Sequence, residues 1–180
     1  MWELLIVALV VVVAVGMYNS LVRLRQQADG AWADIDVQLK RRHDLVPNLV
    51  ETVKGYAGHE KETLERVIQA RSSAMSAQGP AAKAEAEGVL TGALKSLFAL
   101  SEAYPQLQAA GGFRDLQGAL SEIEEQVAQA RRYYNAVVRD FNTKTGTFPS
   151  VLIARAFGFT KREFFEIEEA EKAVPKVKFD

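Results

Sequence analysis

Residues 38–60 read QLKRRHDLVPNLVETVKGYAGHE and gather the side chains best suited to chemistry: both histidines, a Lys-Arg-Arg cluster, and a proline among apolar residues. Two histidines could share a metal ion or relay a proton. His43 and His59 are 16 residues apart, about 24 Å along a continuous helix, and a bend does not bring them together. Neither has a second histidine three or four residues away. His59-Glu60-Lys61-Glu62-Thr63 opens like the zinc-protease helix motif, but Thr63 stands where the second ligand belongs. Both histidines are therefore expected at the surface or facing a partner.

Glu60 continues the apolar seam described below, and a carboxylate on a packed face needs a partner because burying an unpaired charge is costly. Arg25, Arg42 and Arg71 lie on or near the same helical stretch, and Arg131 and Arg132 come from a later one. Arg25, Arg42, Glu60, Arg71 and Arg131 are thus read as a polar seam whose ion pairs set helix register or assembly. The alternative use is a polar pocket for a ligand or a partner's tail. Acid–base catalysis needs two carboxylates in separated environments, and no second one is identified.

Residues 131–161 hold six basic side chains against one acidic, with aromatics between them. Arg132, Arg139, Lys144, Arg155 and Lys161 form a basic strip that suits anionic lipid or a partner protein, with roughly 1 kcal/mol per cation near a lipid surface. A solvated bundle end fits the same residues. Nucleic acid is not expected, because no binding motif accompanies them and 22 basic residues balance 23 acidic. With no cysteine and two histidines in 180 residues, thiolate and histidine-rich metal sites are excluded. Gly-rich phosphate loops and Ser/His/Asp arrangements are absent, so neither a cofactor nor an enzymatic activity is expected.

The elements that must position these groups read as helices throughout. From Leu4 to Met17 there is no charged or polar side chain, and Trp2 and Tyr18 bracket the run. With amphipathic ends at the interfaces, residues 1–18 come close to spanning a ~30 Å hydrocarbon core. A cleaved signal peptide is the rival reading, but Glu3 stands where a positive n-region belongs. Arg23, Arg25, Lys40, Arg41 and Arg42 follow the run, which puts the N-terminus outside and the main domain in the cytoplasm.

From Tyr18 the apolar residues alternate at three and four, through Leu21, Ala28, Trp32, Ile35, Leu39, Val46, Leu49, Val53, Tyr56 and Val67. One long helix to about Arg71 is expected, with Asp29-Gly30 a weak point and Pro47 producing a kink, not a break. Gly79-Pro80 closes it, and a second helix follows over 81–108. The third carries nine apolar residues at strict spacing from Phe113 to Phe141, and Pro149 can open a short fourth. The expected fold is all-α: a transmembrane anchor at 1–18, an elongated antiparallel bundle of three long helices and a short fourth over 19–165, and a tail at 166–180.

The stretch YNSLVRLRQQADGAWADIDVQLKRRHDLVPNLVETVKGYAGHE, with RRYYNAVVRDFN and FPSVLIARAFGF further on, resembles the LemA family. Matching blocks include Arg41-Arg42, Asp44 to Leu49, His59-Glu60, Arg71, and Arg131 to Asn135 with Asn142; His43 is not part of the pattern. The resemblance implies a bacterial membrane-anchored protein with long antiparallel helices in the cytoplasm and no established enzymatic activity. Some members of the family are linked to shaping internal membranes such as those of magnetosomes. The expected function is a non-catalytic single-pass scaffold that self-associates at the inner membrane as a homo-oligomer. The second reading is an adaptor docking a membrane protease or signalling complex, and the third a carboxylate hydrolase.

Overall fold

Pro47 is the residue best placed to end the first helix, yet α1 runs unbroken through it from Trp2 to Ala57. The computed structural model describes residues 1–166, and every regular element among them is a helix. After α1 come α2 (Lys61–Ser76), α3 (Pro80–Ser101), α4 (Pro105–Ala109), α5 (Gly111–Gly146) and α6 (Ser150–Ala156). The all-helical architecture is the one expected. Residues 167–180, most of the expected tail, lie outside the described residues.

The single helix expected to reach Arg71 is instead a hairpin. α1 stops at Ala57, Gly58 to Glu60 turn the chain, and α2 starts at Lys61. Gly58 permits the turn because a Cβ there would meet the Lys54 carbonyl oxygen at 2.9 Å. The seam keeps its spacing through the turn because Val53, Ala57, Leu64 and Val67 all face one core. Tyr56, assigned to that seam, is exposed, and Ala57 takes the buried place. The expected 81–108 helix likewise divides at Glu102-Ala103-Tyr104 into α3 and α4. Gly79 has a φ of 81°, a left-handed conformation natural to glycine, and Pro80 then opens α3 at its first position. Pro149 precedes α6 and does not itself open it.

The chain divides into two compact units, one of residues 1–40 with 123–164 and the other around 41–122. In the first, α5 returns antiparallel to α1. Trp32 meets Tyr134 at a ring separation of 5.4 Å, while Leu21 packs with Phe141 and Ala154. Asn142 clamps the segment after α6, donating to the Arg162 carbonyl (2.9 Å) and accepting from its amide (2.8 Å). In the second unit the end of α1, then α2, α3 and the start of α5 alternate in direction. Their core is Val46, Leu49, Val53, Val67, Leu90, Leu97, Phe113 and neighbours, with Phe98 and Phe113 in edge contact at 6.1 Å.

Candidate functional site

The most concentrated chemistry lies inside the second unit. Glu87 on α3 is fully buried, and its carboxylate accepts from Arg42 Nη1 at 3.0 Å. Its other oxygen lies 2.6 Å from His43 Nε2. Arg42 Nη2 donates to Thr91 Oγ1 at 2.7 Å, and that hydroxyl donates to the Glu87 carbonyl at 3.0 Å. Arg42 and His43 are adjacent on α1, while Glu87 and Thr91 stand one turn apart on α3. The cluster therefore joins two helices at one level through a charge-assisted pair.

Arg71 completes the arrangement from α2. Pro47 has no amide hydrogen, so the carbonyl of residue 43 loses its helical donor. Arg71 Nε supplies one, at 2.7 Å from the His43 oxygen. The gap that proline opens in α1 is thus closed by a side chain from the neighbouring helix, which explains how α1 continues past it.

Several expected roles move. His43 is not a surface residue: it is buried beside Glu87 because Arg42 and His43 both turn inward between Leu39 and Val46. His59 does lie at the surface, with its ring nitrogen 2.7 Å from the Tyr104 hydroxyl. Glu60 sits in the turn, half-buried, and accepts from that same hydroxyl at 3.0 Å. The hairpin takes Glu60 off the α1 seam, so its partner is Tyr104 and not one of the arginines expected for it, Arg25, Arg42, Arg71 or Arg131. Burial and the Glu60 carboxylate hold the Tyr104 hydroxyl above its ordinary pKa.

Arg25, assigned to the seam, is exposed, with its guanidinium carbon 5.3 Å from the centre of the Phe159 ring. Arg131 is half-buried and engaged. Of the basic strip, Arg132, Arg139, Arg155 and Lys161 are exposed, whereas Lys144 is half-buried and donates to Ser20. Glu87 and Thr91 were missed. The signal was present: Glu87 extends the stripe of Leu90, Leu94 and Leu97 by one step, the criterion that singled out Glu60.

Among the described residues no three His, Cys, Asp or Glu side chains gather as a metal ion would require. The Glu87 cluster lies away from solvent, with Glu87 fully buried and Arg42 and His43 nearly so. An open cleft of about 480 Å³ lies between Lys95, Phe98, Glu102, Phe113 and Arg114 in the same unit.

The first helix carries a different kind of surface. Leu4, Leu5, Ile6, Leu9, Val10 and Val12 are each more than half exposed. Left in water, each forgoes roughly 1.5–3 kcal/mol that burial would supply. This is the one helix among the described residues that is long and apolar enough to cross a membrane.

The chain is 27% identical over 164 residues to Protein LemA of Metamycoplasma hominis, covering 89% of this chain and 74% of that one. It is 25% identical over 179 residues to Magnetosome protein MamQ of Magnetospirillum gryphiswaldense, covering 85% of this chain. Magnetosome protein MamQ 2 of Paramagnetospirillum magneticum is 24% identical over the same length. The chain spans 66% of the length of these magnetosome relatives, slightly under two-thirds. A sequence model of the LemA family matches residues 31–179, which takes in the Arg42–Glu87 cluster, the Pro47 gap and Arg71: the chain belongs to the LemA family.

Proposed function

We propose that this protein is a non-catalytic, single-pass scaffold that self-associates at the bacterial inner membrane and organises or shapes it. The observation that carries the reading is the exposed apolar stretch of α1, continuous with the helix whose next turns enter the folded units. Its cover is lipid, with Trp2 and Tyr18 at the two interfaces. Arg23 and Arg25, exposed just past it, support the reading with the N-terminus outside and the helical units in the cytoplasm. The buried Arg42, His43 and Glu87 join α1 to α3, which suits a structural role. The names of the magnetosome relatives support membrane organisation.

Self-association draws support from α2, where Ile68 and Met75 stand seven residues apart and about half exposed, bordering the buried stripe of Leu64, Val67 and Ala74. The chain has no cysteine, so Ile68→Cys or Met75→Cys introduces a unique thiol. A bismaleimide added to membranes carrying either variant should yield a covalent dimer, and its absence with both would count against association through this face. The exposed Arg132 and Arg139, seven residues apart on α5, favour the adaptor reading as the second possibility. An affinity pull-down from native membranes separates the two, since an adaptor retains one different protein at fixed ratio.

A further inference from the structure

Phe148, Leu152 and Phe157 surround α6 and are 80%, 57% and 62% exposed, in a folded unit that buries comparable side chains elsewhere. The inner side of α6 carries Ser150 and Ala154, and at about 100° per residue Leu152 points away from both. The place of α6 in its unit gives this exposure a meaning. Tyr18, where the apolar run of α1 ends, has its ring 4.8 Å from Phe157 and 5.8 Å from Phe159. Two residues on, Ser20 accepts from Lys144, and Leu21 packs against Phe141 and Ala154. α6 therefore lies beside the point at which α1 passes from apolar to polar sequence.

The charges agree with that position. Residues 141–162 contain four cations, Lys144, Arg155, Lys161 and Arg162, and no acidic residue. Lys144 is used by Ser20 and Arg162 by Asp29, leaving Arg155 and Lys161 exposed beside the apolar side chains.

We infer that α6 and its flanking turns form a second membrane contact, lying in the headgroup region with Phe148, Leu152 and Phe157 inserted and Arg155 and Lys161 at the level of anionic lipid phosphates. Apolar and aromatic residues flanked by cations are the composition that holds interfacial helices in a bilayer surface. The contact is continuous with the span of α1 and rests on the anchor reading of that span. It would fix the tilt and rotation of the helical domain against the membrane, which a single span leaves free.

The test uses the full-length chain, whose lack of cysteine allows one nitroxide label at a time. Labels are placed through Phe148→Cys, Leu152→Cys, Val10→Cys and Glu51→Cys, the last at an exposed position of α1 far past the apolar run, and each protein is reconstituted into phosphatidylglycerol–phosphatidylcholine vesicles. Collisions with oxygen, which concentrates in lipid, and with a water-soluble nickel chelate are then measured. The expected result is loss of nickel accessibility and gain of oxygen accessibility at positions 148 and 152, as at position 10, while position 51 stays open to nickel. In vesicles of phosphatidylcholine alone, the 152 label should shift toward water. Positions 148 and 152 as open to nickel as position 51, with position 10 in lipid, would overturn the second contact and leave the anchor. Position 10 open to nickel would overturn the anchor itself. Shielding of 148 and 152 from both reagents would assign the patch to a protein partner and overturn the lipid contact.

Discussion

Replacing Glu87 by leucine tests how the helical domain is held together. The substitution removes the carboxylate that accepts from Arg42 at 3.0 Å and lies 2.6 Å from His43, and it leaves the Arg42 guanidinium almost fully buried. Breaking a buried pair from one side costs about 3–5 kcal/mol, because the remaining charge stays desolvated. For a chain of this length each kcal/mol lowers the melting temperature by roughly 2–4 °C, so a fall of about 6–20 °C is expected. Arg42→Met strands the other charge and should cost a similar amount. The double variant Arg42→Met with Glu87→Leu strands neither charge, and buried pairs exchanged for apolar residues of similar volume are often neutral. His43 still loses its carboxylate partner, so the double variant should recover part of the loss, giving a coupling energy well outside additivity. Thermal unfolding followed by far-ultraviolet circular dichroism in mild detergent reads all four proteins. A single-variant loss under about 1 kcal/mol, the scale of an exposed pair, would refute the reasoning. So would a double variant as unstable as the sum of the singles.

Arg71→Met should cost about 1–3 kcal/mol by leaving the His43 carbonyl without a donor, and Pro47→Ala, which restores a backbone amide, should remove most of that penalty. Equal losses from Arg71→Met in the parent chain and in the Pro47→Ala background would show that the carbonyl bond is not the reason for Arg71. Tyr134 provides a pH test: its hydroxyl is buried, donates to the Glu163 carbonyl at 2.9 Å, and has a pKa raised above 10.0 by burial first, with Arg162 lowering it and Glu163 and Asp29 raising it. A raised folded pKa contributes stability that is fully present below the unfolded value, about 10, and is lost as pH rises through the folded one. Tyr134→Phe should therefore lose stability less steeply above that pH than the parent chain, and parallel alkaline unfolding curves would refute the assignment.

How much of this was legible in the sequence depends on which physical signal each feature leaves. The apolar run from Leu4 to Met17 is unbroken and the nine-position stripe of α5 is periodic over many turns, and both appear as helices. The turn at Gly58 was hidden because the residues before and after it share one core, so three-four spacing survives a reversal of direction. That hidden turn also misassigned Glu60, which lost its place on a packed face and took Tyr104 as its partner. Arg42 was visible as a charge on the seam, but its partner Glu87 lies 45 residues away, and long-range pairing leaves no local pattern. The link between Pro47 and Arg71 is of the same kind: each was noticed alone, and only the fold shows that one repairs the gap left by the other.

Self-association at the membrane is the central claim, and the mass of the particle tests it most directly. Full-length protein purified in mild detergent, beside a version lacking residues 1–18, would be measured by light scattering with correction for bound detergent. A full-length particle at a fixed multiple of the 19.9 kDa protomer, regular in negative-stain images, is the predicted result. A single protomer in both preparations would contradict it.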